Sequence, residues 1–195
     1  MKTTIMISFL LTAFFISCGE KNDKFQIADN QRNEMRSNAG EFMKQLMGVL
    51  LKQIESGGTV SALNVCSDTA QILTNNFGLK KGVFVKRISF KNRNPNNVPD
   101  EFETRVLKEF ESKKNEGVLN SDTEHIEITT EDEHKYLRFM KPIFINTLCL
   151  RCHGTEENIS PEVRETIKQR YPKDKATGYS VGDLRGAISI KKLIE

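Results

Sequence analysis

Two cysteines and a histidine lie close together in the second half of the chain, at Cys149, Cys152 and His153. Two thiols separated by two residues and followed at once by an imidazole form the CxxCH pattern, which is typical of c-type haem attachment. In that chemistry each thiol adds to one vinyl group of the porphyrin, and the histidine binds the iron from one side. The motif therefore predicts one haem c, attached covalently through Cys149 and Cys152, with His153 as an axial iron ligand.

A mostly apolar run over residues 5–16 follows Lys2 and stops at Ser17-Cys18-Gly19. This pattern predicts an export signal, and the run is shorter than the roughly 20 apolar residues that a spanning helix needs. A small residue before a cysteine resembles the bacterial lipoprotein signal, which is cut before a cysteine that is then lipidated; Phe15 stands where leucine is usual. We expect residues 1–17 to be a signal peptide, Cys18 to be lipidated and residues 18–28 to be a tether. A secreted chain or an uncleaved anchor is the alternative.

The two signals support each other, because haem is attached covalently outside the bacterial cytoplasm. Export would place the domain at the periplasmic face of a bacterial membrane as a lipoprotein. Three alternatives use the same residues: a local disulfide between Cys149 and Cys152, a thioredoxin-like redox pair, or a zinc site of three cysteines with His153. Zinc is disfavoured because the adjacent Cys152 and His153 would have to bind one tetrahedral ion.

The composition is that of an ordinary globular domain, with 37% hydrophobic and 28% charged residues in 195. We assign residues 29–195 to a single domain. The 29 Lys and Arg and 26 Asp and Glu residues are interspersed, and the formal charge is +3. Since basic residues form no runs, a nucleic-acid partner is not expected.

Apolar residues at helical spacing predict two long helices, over residues 29–55 and 59–78, separated by Gly57-Gly58. The apolar stripe of the second helix includes Cys66. A strand over residues 82–90, a loop over 92–99 and a helix over 100–117 follow, and then two or three antiparallel strands within 118–143, a helix over 160–171 and a strand over 184–190. Without βαβ alternation, this order predicts an α+β fold with a mostly antiparallel sheet.

The second axial ligand of the iron would decide between oxygen chemistry, electron transfer and sensing. The candidates are one thiol, two histidines and four methionines: Cys66, His125, His134, Met35, Met43, Met47 and Met140. The histidines lie in an acidic, polar segment that favours solvated side chains, and the methionines lie on apolar stripes that favour core packing. Cys66 is the one thiol without another role, although an inert buried cysteine is its ordinary alternative.

Further positions complete a recognisable pattern: Ala62-Leu63, Cys66, Arg93-Asn94-Pro95, Asn97, Pro99-Asp100, Glu103, Met140, Pro142-Ile143, Cys149-Leu150, Cys152-His153-Gly154, Gly178-Tyr179, Gly182-Asp183 and Gly186-Ala187. Over residues 30–192 the chain resembles the family of PAS-like single-haem c-type domains, first described in cyanobacteria and long filed as a domain of unknown function. Phe102 departs from the tryptophan expected before Glu103, which concerns local packing. The resemblance implies a PAS-like antiparallel sheet flanked by long N-terminal helices, one haem c, and Cys66 as the second axial iron ligand.

Thiolate ligation stabilises ferric iron and lowers the reduction potential. The first functional hypothesis is a redox or gas sensing module, in which Cys66 leaves the reduced iron and opens a site for CO or NO. The second is a low-potential electron-transfer cytochrome. An enzyme such as a peroxidase ranks last, because no distal His/Arg pair is evident, so the protein is predicted not to be an enzyme.

The expected partners are haem, a membrane reached through the lipid anchor, and a separate redox or signalling protein. Arg87, Arg93 and Lys141 are candidates to pair with haem propionates, because they flank apolar strands or the loop over residues 92–99, which is rich in Asn and Pro and is called the Asn-Pro loop below. Solvated surface charges are the ordinary alternative for all three.

Overall fold

A computed structural model describes residues 26–195. The predicted signal peptide, Cys18 and most of the tether lie outside the described residues, and the domain boundaries stay a prediction. The elements in chain order are α1 (Asp29–Lys81), β1 (Phe84–Ile88), a 3-10 turn (Pro95–Asn97), α2 (Glu101–Asn115), β2 (His125–Glu131), β3 (His134–Phe144), a second 3-10 turn (Thr147–Cys149), α3 (Leu150–His153), α4 (Pro161–Arg170) and β4 (Leu184–Leu193).

Helix α1 is kinked at Gly58. The residue has φ 74° and ψ −175°, a conformation that glycine adopts without steric cost because it has no Cβ. The two predicted helices are therefore the two arms of this 53-residue element, and the interruption predicted at Gly57-Gly58 is confirmed as a kink at Gly58. The second arm continues to Lys81, where Gly82 ends it in the left-handed conformation at φ 65°.

Helix α2 begins with a reciprocal cap. The backbone N–H of Glu103 donates to Oδ1 of Asp100 at 2.8 Å, and the N–H of Asp100 donates to Oε2 of Glu103 at 2.9 Å. These bonds satisfy donors that the first turn of a helix leaves free, which explains why the helix begins directly after the Asn-Pro loop.

The four strands form one antiparallel sheet in the order β1-β4-β3-β2. Strand β4 comes last in the sequence and pairs in the middle of the sheet, where Ile190 lies opposite Val85 on β1 and Phe139 on β3. The sheet and its flanking helices confirm the predicted α+β class. Residues 118–143 contribute two strands, since their pairing turns back at residues 132 and 133.

Hydrophobic residues cover both faces of the sheet. On one face the first arm of α1 packs Met35 and Phe42 against a cluster with Phe139 and Ile190. On the other face α2 packs Val106 and Phe110 against a cluster with Ile88, Met140 and Ala187. Alternating side chains of the strands thus supply both clusters, as the period of a strand requires.

A third apolar cluster joins the second arm of α1 to α4. Leu63 packs with Ile159, Val163 and Ile167, and Cys152 lies at its margin. The cluster therefore fixes the cysteine-bearing helix α3 against the arm that carries Cys66. None of the helices within residues 26–195 is both long and apolar enough to cross a membrane.

Candidate functional site

A cavity of about 340 Å³ lies between α1, the sheet and the segment that carries CxxCH. Its volume is in the range of small-molecule sites. Both arms of α1 supply an apolar wall: Met43, Met47, Leu50, Ile54, Ala62 and Leu63. Several of these side chains are only half-buried, because they face the cavity and not the core. The wall suits a ligand with a large apolar surface.

Cys149 and Cys152 line this cavity together with His153. The second 3-10 turn and α3 place the two thiols one helical turn apart, so they lie on neighbouring positions of one face. Oδ1 of Asn146 accepts hydrogen bonds from the backbone N–H and from Sγ of Cys149, both at 3.2 Å. Both thiols are half-buried and unpaired, and burial raises the pKa of Cys152.

The imidazole of His153 is fixed by a backbone acceptor. Nδ1 lies 2.7 Å from the carbonyl oxygen of Ala176, to which it donates. Burial, and secondarily the nearby Arg93 and Arg185, lower the pKa of His153 well below its ordinary value, while the bond to Ala176 opposes this shift. The ring is therefore neutral, with its proton on Nδ1 and a free lone pair on Nε2, which is the form that binds a metal.

Arg93 ties the CxxCH segment to the segment that follows α4. Its guanidinium forms a two-point ion pair with Asp174, with Nε–Oδ1 at 3.0 Å and Nη2–Oδ2 at 3.2 Å. Nη2 also donates to the carbonyl oxygen of Cys152 at 2.6 Å and to that of Ala176 at 3.4 Å. One side chain thereby holds both the backbone of the motif and the acceptor that orients His153.

Cys66 lines the same cavity from the second arm of α1. Its thiol is half-buried and unpaired. Burial raises the pKa of Cys66, and the Arg87 guanidinium lowers it. The structure thus brings Cys66 to the cavity of Cys149, Cys152 and His153, as the family resemblance requires.

The other candidate axial ligands fall into two groups, those that lie away from the cavity and those that line it. Met35 and Met140 are fully buried in the clusters on the sheet. His134 is exposed, and His125 lies between the carboxylates of Glu109 and Glu127; none of these four residues lines the cavity. Met43 and Met47 do line it and are the remaining sulfur rivals of Cys66. Within residues 26–195, no three His, Cys, Asp or Glu side chains lie close enough together to hold one metal ion, so the cysteines and His153 share the cavity without the grouping that the zinc alternative needs.

Of the three basic residues predicted as possible partners of haem propionates, only two line the cavity. Arg87 and Arg93 line the cavity, while Lys141 donates to the carbonyl oxygen of Ser121 at 2.6 Å and does not line it. Lys141 is therefore no longer a candidate.

Sequence reasoning missed three contributors to the site. Arg185 lines the cavity from the start of β4, and Ala176 and Asp174 hold His153 and Arg93. Arg185 precedes Gly186 of the recognised pattern and could have been noticed there. The acceptor of Ala176 is a backbone carbonyl, for which the residue type carries no signal.

The profile of the family described as Tll0287-like matches residues 21–192. The crystal structure of the cyanobacterial haem protein Tll0287 is similar with a TM-score of 0.61 and 21% identity, covering 87% of this chain and 98% of that chain. At this identity the likeness shows the fold alone. Curated proteins offer no match.

Proposed function

The chain belongs to the Tll0287-like family, and from that premise we propose that it is a haem c protein with His153 and Cys66 as axial iron ligands, acting as a redox or gas sensing module. The membership confirms the resemblance predicted from the sequence motifs. The observation that carries the proposal is the meeting of Cys149, Cys152, His153 and Cys66 at one apolar cavity.

The residues present fit one haem c. Two thiols on one helical turn supply the covalent attachment, and the neutral His153 offers Nε2 as a ligand because Nδ1 is engaged by Ala176. The apolar wall of α1 suits the porphyrin face. When bound, the haem would supply a redox couple and a site for diatomic gases.

Sensing is proposed because of the position of Cys66. Its helix has a built-in kink at Gly58, and its sulfur is the one proposed iron ligand that is separate from the CxxCH segment. Dissociation of this sulfur upon reduction would free a coordination position and change the contacts of the second arm of α1. The proposed role needs no catalytic acid–base pair, so we assign no enzymatic activity.

Absorption and EPR spectra of the full chain, matured with haem, test ligation. We expect the spectrum of thiolate-bound low-spin ferric iron, and its loss in Cys66→Ala. Met43→Leu and Met47→Leu are the matched controls, because both methionines line the cavity, and neither substitution should change the spectrum. Failure to detect covalent haem in a pyridine haemochrome assay would refute haem c binding. A spectrum lost in a methionine variant and kept in Cys66→Ala would refute the ligand assignment.

CO binding to the reduced protein tests the switch. The reduced parent protein should bind CO because its sulfur has left the iron, and its affinity should approach that of reduced Cys66→Ala. A reduced parent protein that binds no CO, while Cys66→Ala binds it, would refute the switch.

A low-potential electron-transfer cytochrome is the second candidate. Arg151 lines the cavity next to Cys152 and is exposed, so the cavity opens to solvent beside the attachment site, as electron exchange would need. A reversible one-electron titration together with an absence of CO and NO binding to the parent protein would favour this role over sensing.

We further propose that the domain is held as a lipoprotein at the periplasmic face of a bacterial membrane, where a redox or signalling protein would be its partner. The proposal rests on the sequence around Cys18. Cys18→Ala should move the protein from the membrane fraction to a soluble or unprocessed form. An unchanged distribution and an unchanged mass would refute lipidation.

A further inference from the structure

Among the residues that line the cavity, the charged ones are all arginines. Arg87, Arg93, Arg151 and Arg185 line it, and no Asp or Glu of residues 26–195 does. The remaining surface is largely apolar, so the charge is concentrated within a hydrophobic site. A ligand that matched this lining would be apolar over most of its surface and anionic at one part of it.

For two of the four arginines, a protein carboxylate or water already stabilises the charge. Arg93 is paired with Asp174, and both side chains are about 10% exposed, at 10% and 9%. Arg151 is exposed, so water can solvate its charge. Neither residue requires an anion from the ligand.

Arg87 and Arg185 differ from these two. The side chain of Arg87, on β1, is half-buried and has no hydrogen bond or ion pair with another residue in the described part of the chain. The guanidinium of Arg185 donates one hydrogen bond, from Nη1 to the carbonyl oxygen of Lys91 at 3.0 Å, and its central carbon lies 5.5 Å from the centre of the Tyr179 ring. Their remaining N–H donors have no protein acceptor in residues 26–195.

The electrostatics agree with this geometry. Burial lowers the pKa of Arg87. Burial also lowers the pKa of Arg185, and repulsion from Arg93 and Arg87 adds to that shift. A guanidinium held partly out of water is stabilised when it meets a carboxylate, which it can bind through two parallel hydrogen bonds. The cavity therefore has two fixed cations that a dianionic ligand would neutralise.

We propose that Arg87 and Arg185 bind the two carboxylates of the ligand, which in haem are the propionates. The inference rests on the proposed haem function and deepens it. The two arginines would act as specificity-determining residues, since they favour a dicarboxylate porphyrin over an esterified one and turn its acidic edge toward β1 and the start of β4.

The test uses the haem-loaded full chain and the variants Arg87→Gln and Arg185→Gln. Resonance Raman spectroscopy reports the propionate bending bands, which respond to hydrogen bonds at the carboxylates. We expect each variant to shift these bands and to lower the reduction potential, because a cation that disfavours ferric iron is removed. Arg87→Lys should keep most of the potential while still shifting the bands, since it keeps the charge and loses the two-point geometry.

Arg164→Gln is the control. Arg164 lies on α4, pairs with Glu156 at 2.7 Å and is not among the residues that line this cavity. It should leave both the bands and the potential unchanged.

Unshifted propionate bands in both glutamine variants would overturn the inference. If Arg87→Gln changed the EPR spectrum but not the propionate bands, Arg87 would act on the Cys66 thiolate. Its assignment to a carboxylate would then be wrong. A pyridine haemochrome assay on each preparation separates these results from failure of the proposed function. Covalent haem with unshifted bands refutes only the arginine assignment, whereas absence of covalent haem in the parent protein refutes both.

Discussion

Replacing Arg93 with glutamine tests whether one ion pair holds the CxxCH segment in place. Arg93 and Asp174 are 10% and 9% exposed, and the guanidinium also donates to the carbonyl oxygens of Cys152 and Ala176. Glutamine cannot span these acceptors, so the carboxylate of Asp174 would lose its cation in a place that water reaches poorly.

The expected size follows from this burial. Breaking a buried ion pair by removing one partner costs about 3–5 kcal/mol, and we take about 3 kcal/mol because Asp174 keeps a bond from the N–H of Ala176 at 3.1 Å. In a domain of this size each kcal/mol lowers the Tm by roughly 2–4 °C, so Arg93→Gln should melt about 6–12 °C lower.

Thermal and urea unfolding of the haem-loaded protein, followed by circular dichroism, would measure the loss. Asp174→Asn and the double variant complete a double-mutant cycle, for which we expect a coupling of about 2 kcal/mol. Arg164→Gln is the matched control, since its pair with Glu156 is exposed and should contribute less than about 0.5 kcal/mol. A loss below about 1 kcal/mol in Arg93→Gln, or additive effects in the cycle, would refute the reasoning.

Three further variants test the sheet, helix α1 and the stability in acid. Gly186→Ala should lower the free energy of unfolding by more than about 2 kcal/mol, because Gly186 has φ +148° and a Cβ there would overlap the carbonyl oxygen of Ile88. Gly48→Ala, with nothing within 4 Å of its Cβ, should instead stabilise α1 by up to about 1 kcal/mol, and equal urea midpoints for the two variants would contradict this contrast. Burial raises the pKa of Asp100, but the N–H of Glu103 and the Arg138 guanidinium outweigh it and hold the pKa below its ordinary value. Ionised Asp100 therefore stabilises the fold above the ordinary pKa of an aspartate, and the contribution is lost as the pH falls through the folded pKa. Asp100→Asn should cost stability at neutral pH and little in acid, and an equal loss at both would count against the assignment.

Local patterns predicted most of the secondary structure. The Asp100 cap, the Pro161 start of α4 and the alternation along β2 and β3 depend on neighbouring residues, and each element formed where those residues indicated. The break at Gly58 shows the limit of this information. A glycine pair predicts an interruption, but packing of both arms decides whether the chain kinks or leaves the helix.

By itself the sequence determined the local chemistry: the two thiols and the imidazole within one helical turn, and the residue types of the proposed haem c site. The tertiary structure decided what meets that motif. The kink of α1 and the strand order β1-β4-β3-β2 bring Cys66, Arg87 and Arg185 to one cavity, and the fold supplies the Ala176 carbonyl that orients His153. The physical reason is that contacts between distant elements depend on how apolar faces pack together, which spacing along the chain does not encode.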